Sequence, residues 1–171
     1  MLAGRGPHRH HASMTNVLLR PARDGECGEL SALCLRSKAV WGYDAAFLEA
    51  CRAELSIRPA DLDPGLLHVA EVDGKLVGVV QITPEGADLH LDKLFIDPGI
   101  LRTGIGRRLL DWAVSRAAEL GAARLVIDAD PGAADFYRRM GATDAGVVAS
   151  GSIPGRFLPR LELLLADPAG R

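Results

Sequence analysis

Residues 89–128 constrain this chain more than any other stretch. Residues 89–96 read as a strand stopped by Pro98-Gly99, residues 104–120 as an amphipathic helix, and residues 125–127 as a buried strand. In the helical run, Leu109, Leu110, Ala113, Ala117 and Leu120 fall within a ~100° arc, so one face packs on a sheet. Gly121 is the predicted C-cap. Strand, helix and strand in this order form a βαβ unit, and its two strands are then parallel.

Leu101-Arg102-Thr103-Gly104-Ile105-Gly106-Arg107 leads into that helix. The first N–H groups of a helix have no partner within it. Glycines at 104 and 106 let a ligand approach the main chain, and the positive end of the helix dipole attracts phosphate. Arg102, Arg107 and Arg108 can supply charge at the rim. The pattern suits a pyrophosphate, although a plain glycine-containing helix start would look the same. A nucleotide-binding α/β protein is disfavoured. The chain lacks GxxxxGK[ST] and the third glycine of a dinucleotide fingerprint, and the loop follows a late strand.

The rest of the chain extends the unit into one α/β domain. A short strand at 17–19 ends at Pro21, and Asp24 is the predicted N-cap of a helix reaching about Lys38. A second helix is predicted over 44–55, then a loop over 56–65. Strands at 67–72 and 75–82 meet at Asp73-Gly74, a hairpin signal. A short helix at 133–140 precedes strands at 147–149 and 157–165. Pro159 marks the last of these as an edge or bulged strand, leaving room for a homodimer contact. Residues 1–13 read as a disordered leader whose His8, His10 and His11 are tail residues, 14–167 as the domain and 168–171 as a tail.

With 171 residues and a net charge of −2, the chain suits one domain and gives no reason to expect nucleic acid or an anionic membrane as partner. No run approaches the ~18 apolar residues of a membrane span, and no signal-peptide core is evident, so a cytoplasmic protein is expected. The three cysteines, Cys27, Cys34 and Cys51, have neither disulfide nor metal spacing and read as buried apolar residues; no metal is expected.

A second motif follows the βαβ unit: Asp128-Ala129-Asp130-Pro131-Gly132-Ala133-Ala134-Asp135-Phe136-Tyr137-Arg138-Arg139-Met140-Gly141. Together with Leu94-Phe95-Ile96-Asp97-Pro98 and the glycine loop, it strongly resembles the GCN5-related N-acetyltransferase (GNAT) family over roughly residues 16–165. The resemblance implies a mixed, mostly antiparallel sheet flanked by helices, with its parallel βαβ unit at the acyl-CoA site. It implies acetyl-CoA as co-substrate and direct transfer of the acetyl group to an amine, small or peptidic. A non-catalytic CoA-binding module, acting as a sensor or interaction domain, is the alternative.

By the same resemblance, the main chain of Leu94, Phe95 and Ile96 holds the pantetheine arm, and amides from Arg102 through Thr103, Gly104, Ile105 and Gly106 to Arg107 hold the pyrophosphate. Asp130, where the family often has Asn, and Ala133 stand near the pantetheine and bind the cofactor. Tyr137 stands at the family's proposed general acid. Leu101 departs from the Gln or Arg that usually opens the loop.

Direct transfer needs a neutral amine. At pH 7, neutralising a lysine-like amine of pKa ~10.4 costs about 4.6 kcal/mol, so a base should receive that proton. His90 ranks first and Asp92 second: two apart on one strand, they share a face. Glu85 and Asp88 stand in reserve, while His68 reads as structural. Tyr137 would protonate or hydrogen-bond the leaving thiolate. Trp41, Tyr43 and Asp44, where the first two helices meet, would wall a pocket for a cationic amine, and the turn at 150–156 would border it.

Overall fold

The computed structural model describes residues 16–100 and 103–165. The leader, the C-terminal tail, Leu101 and Arg102 therefore lie outside the described residues. The elements follow in the order β1 (Val17–Pro21), α1 (Cys27–Ala39), α2 (Ala45–Leu55), β2 (Leu67–Val72), β3 (Lys75–Glu85), β4 (Asp88–Ile96), α3 (Ile105–Glu119), β5 (Arg124–Asp128), α4 (Ala134–Arg139), β6 (Thr143–Ala149) and β7 (Phe157–Leu164).

One seven-stranded sheet takes the order β1-β2-β3-β4-β5-β7-β6. Its pairs are antiparallel except β4 with β5, the two strands that α3 connects. That is the expected mixed sheet with one parallel unit. The β2–β3 hairpin turns on Asp73 (φ 50°) and Gly74 (φ 80°), both left-handed as a tight primed turn requires.

Each face of the sheet carries its own core. Leu109, Leu110, Ala113 and Ala117 of α3 pack on Val80, Ile82, Leu91, Leu125 and Ile127. On the other face, Leu30, Leu33 and Cys34 of α1 and Cys51 of α2 pack on Val69 and Val79. Burial pushes the Cys34 thiol up to about 12, so it behaves as an apolar filler. Gln81 and Lys93 are polar exceptions, and each is satisfied: Lys93 donates to Gln81 (3.0 Å), which donates to Asp61 (3.1 Å).

Three expectations need correction. Helix α1 is capped at Glu26, not Asp24, with no side-chain cap bond; the Glu26 carboxylate is drawn into a bidentate pair with Arg20. Leu120 is 46% exposed because the helix ends at Glu119, so Leu120 is its C-cap and lies past the last buried turn although its position falls on the buried arc. Pro159 is not on an edge strand: β7 lies between β5 and β6, and the irregularity is opposite it, between Asp144 and Val147 of β6. No helix among the described residues is long and apolar enough to cross a membrane.

Candidate active site

Strands β4 and β5 pair at only two positions, Leu89 with Leu125 and His90 with Val126. Beyond them β4 stays with β3 while β5 turns to β7, so a fork opens between Leu91–Ile96 and the end of β5. The N–H of Asp97 bonds the Val77 carbonyl of β3 and that of Ile96 reaches Ser37 Oγ of α1 (3.3 Å). Strand alternation then turns the Leu94 N–H the same way as that of Ile96, away from β3 and into the fork. Phe95 pairs with Val79, and its side chain joins the core beneath α1 and α2.

A bulge shapes β4. Leu91 pairs with Ile82 and Lys93 with Gln81, which leaves Asp92 as the extra residue. Asp92 is exposed and accepts the Thr83 hydroxyl at 2.6 Å. His90 lies opposite Thr83 at the mouth of the fork, with Nε2 3.3 Å from Asp128 and 3.8 Å from Glu85. Asp128 is gripped by Arg160, Nε to Oδ1 at 2.8 Å and Nη2 to Oδ2 at 3.1 Å. Glu85, Asp88, His90, Val126 and Arg160 line a small open cleft of about 100 Å³ here.

At the other end of the fork stands the start of α3. Gly104 is its N-cap with φ 84°, a left-handed conformation natural to glycine. A Cβ on Gly106 would meet Ile96 and Phe136 only at 3.7 Å, ordinary contact, so internal packing does not demand a glycine there. Ile105 is buried and anchors the turn, Arg107 and Arg108 are exposed beside it, and Thr103 donates its hydroxyl to the Ile100 carbonyl (2.6 Å). Free amides, an exposed cationic rim and room over Gly106 together suit a diphosphate. The site therefore fits CoA from the phosphate turn to the fork. Among the described residues, no group of three or more His, Cys, Asp or Glu is placed to hold a metal.

Asp130 follows β5 and gathers four elements. It accepts Lys38 Nζ of α1 (2.9 Å), Tyr43 Oη from the α1–α2 connection (2.7 Å) and Arg156 Nη2 from the β6–β7 turn (3.4 Å), and its other oxygen takes the Gly132 amide (3.0 Å). Burial pushes its carboxyl up, but the bonds from Tyr43 and Lys38 outweigh this and hold it below the usual range. Burial, then the bond to Asp130, raises the Tyr43 hydroxyl to about 12. The Arg156 guanidinium also lies over the rings of Tyr43 and Phe47, which are stacked 3.9 Å apart.

Of the expected pocket wall, Tyr43 belongs to this network. Trp41 lies flat against Gly132, where an added Cβ would come within 2.7 Å of its ring. Asp44 is exposed and caps α2, its Oδ1 accepting the Phe47 amide at 2.8 Å. Ala133 lies at the start of α4 and donates its amide to the Asp130 carbonyl (2.8 Å). Tyr137 is buried on α4, edge-on to Phe136, and burial followed by the nearby Asp130 charge pushes its hydroxyl well above the usual range. Arg138 is paired with Asp135 and Asp144.

Lys38, Asp128 and Arg160 join the site without having been given a role from the sequence, whereas Arg156 ends the turn expected to border it. Asp128 and Arg160 face each other across β5 and β7, and only the strand register brings them together. The quoted Asp128-Ala129-Asp130 run held a signal, since residues two apart at a strand end share a side.

Comparison with known proteins gives one consistent answer. Residues 36–148 match the acetyltransferase (GNAT) domain family. The peptidyl-lysine N-acetyltransferase YjaB of Salmonella typhimurium is 37% identical over 130 residues, covering 73% of this chain and 82% of that protein. The solved GCN5-related N-acetyltransferase from Rhodopseudomonas palustris is 25% identical with a TM-score of 0.70, covering 91% of this chain and 99% of that one. The PaiA N-acetyltransferase of Thermoplasma acidophilum, solved with coenzyme A, shares the fold at 16% identity and a TM-score of 0.69, covering 86% of this chain and 98% of that one.

Proposed function

The chain belongs to the GNAT acetyltransferase family and uses acetyl-CoA, and on that premise we propose that its acceptor is the side-chain amine of a peptidyl lysine, with His90 as base and Tyr137 as acid. The observation that carries the acceptor reading is the acidic mouth of the fork. Around His90 the carboxylates of Glu85, Asp88, Asp128 and Glu162 outnumber the cations Arg124 and Arg160, and that excess draws a cationic amine toward the ring that must neutralise it. The YjaB relative acts on the same class of acceptor. The family match and that catalytic relative leave no place for the non-catalytic alternative.

Acetyl-CoA supplies an acetyl group already activated as a thioester. The chain's contribution is to hold, orient and move protons. The turn at Thr103–Arg107 holds the diphosphate through main-chain amides. The Leu94 amide in the fork points where a thioester oxygen can accept from it. His90 takes the acceptor's proton as the new C–N bond forms. Tyr137, kept protonated by burial, gives a hydrogen bond or a proton to the departing sulfur.

The test is thiol release from acetyl-CoA with lysine peptides, free amino acids and polyamines as acceptors, with mass spectrometry to locate the acetyl group. Nε-acetylation of the peptide is expected, and Tyr137→Phe should lower kcat roughly 10²-fold, the low end for a proton-transfer group. Turnover with a small amine and none with any peptide would reject the acceptor. A Tyr137→Phe enzyme with unchanged kcat would reject that role.

A further inference from the structure

The His90 ring is not isolated. Strand β5 ends at Asp128, beside the point where β4 and β5 part, and Asp128 Oδ2 is 3.3 Å from His90 Nε2. The carboxylate is held by Nε and Nη2 of Arg160, one on each oxygen, and Arg160 is its direct cross-strand partner on β7. Both side chains are mostly shielded, His90 at 16% and Asp128 at 21% exposure.

The other charges facing the ring are less constrained. Glu85 of β3 is farther away at 3.8 Å, with a side chain 72% exposed. Asp88 of β4 lines the same cleft but is turned to Arg124 of β5, which also meets Glu162 of β7. Among the described residues, Asp128 is the one carboxylate both close to His90 and locked in place.

We propose that Asp128 is the positioning residue for the base: it holds the neutral imidazole with its proton on Nε2, so that Nδ1 carries the lone pair that receives the acceptor's proton. The inference rests on His90 being the base. A neutral imidazole has one N–H, and a carboxylate beside Nε2 selects the tautomer that places it there. In the step, an N–H bond of the acceptor breaks and an Nδ1–H bond forms. The resulting imidazolium keeps Nε2–H toward Oδ2, and the carboxylate charge stabilises it without taking the proton. Arg160 keeps the carboxylate aimed. The present contact is not aligned as a hydrogen bond, and catalytic hydrogen bonds commonly align only in the substrate complex.

The experiment compares kcat/KM for the full chain, His90→Gln, Asp128→Asn, Asp128→Glu and the His90→Gln/Asp128→Asn pair, with nitrogen NMR of the imidazole. Asp128→Asn should lower kcat/KM roughly 10- to 100-fold, part of the 10²- to 10⁴-fold a general base supplies. The NMR signal should switch to the Nδ1–H tautomer, and Asp128→Glu should recover part of the loss. In the His90→Gln background, Asp128→Asn should cost nothing further. If unpaired Arg160 keeps Asp128→Asn from folding, Asp128→Asn/Arg160→Gln carries the same test with a neutral pair. An impaired His90→Gln beside an Asp128→Asn enzyme with unchanged rate and unchanged tautomer would end the positioning role and leave the base standing. Full activity in His90→Gln would end both. A loss from Asp128→Asn that persists undiminished in the His90→Gln background would make Asp128 a structural residue.

Discussion

His68 shows how far one ring can couple this fold to pH. It lies on Trp112, centroids 4.2 Å apart, with Nε2 3.0 Å from the Pro64 carbonyl. A carbonyl can only accept, so Nε2 carries the proton; Nδ1 is buried with no partner. Burial lowers the ring's pKa, outweighing the bond to Pro64. The unfolded chain takes up a proton here near pH 6.5 and the folded chain resists it, so stability is present above that pH and falls as pH drops below it. Denaturation midpoints should therefore decline from pH 7 toward 5.5, and less steeply in His68→Phe, which keeps the stack. Equal slopes would refute the assignment. The sequence marks this histidine as structural, but not its stack on Trp112, a pairing between β2 and α3 that no local pattern encodes.

The entrance to α3 joins two glycines with different reasons for being glycine. Gly104 needs its left-handed φ of 84°, whereas Gly106 meets nothing that a methyl group would disturb. Gly106→Ala should fold at least as stably as the parent, since alanine favours a helix by about 1 kcal/mol over glycine. It should nonetheless bind acetyl-CoA more weakly, because the methyl group would stand where the diphosphate approaches. Calorimetry showing unchanged affinity would move the phosphate site elsewhere.

This element was readable in the sequence because glycine spacing and helical periodicity are local signals. So were α2, apart from its cap at Asp44, and the Asp73-Gly74 hairpin. Strand β6 was readable only over 147–149, because Gly146, at φ 95°, sits in an irregularity that breaks its alternation. The partners of Asp128 and Asp130 were hidden for another reason. Arg160, Arg156 and Lys38 reach them through strand order and the docking of distant loops.

Across the whole molecule, the phosphate turn, the fork and the Asp130 network lie on separate elements, so a ligand spanning them should stabilise the fold globally. At a hundredfold excess over Kd the gain is ~2.7 kcal/mol, a rise in Tm of roughly 5–10 °C for a chain of this size. Thermal melts with acetyl-CoA check this, and a flat response would contradict the site. The fork has a mechanical consequence as well. A sheet joined across its middle by two paired positions is two plates on a short weld, β1 to β4 on one side and β5, β7 and β6 on the other. What resists shear between them is α3, whose buried face spans residues of β3, β4 and β5. The helix that presents the phosphate turn is thus also the strap that keeps the plates in register, and loosening it at Leu109 or Ala113 would alter the width of the gap without touching anything bound there.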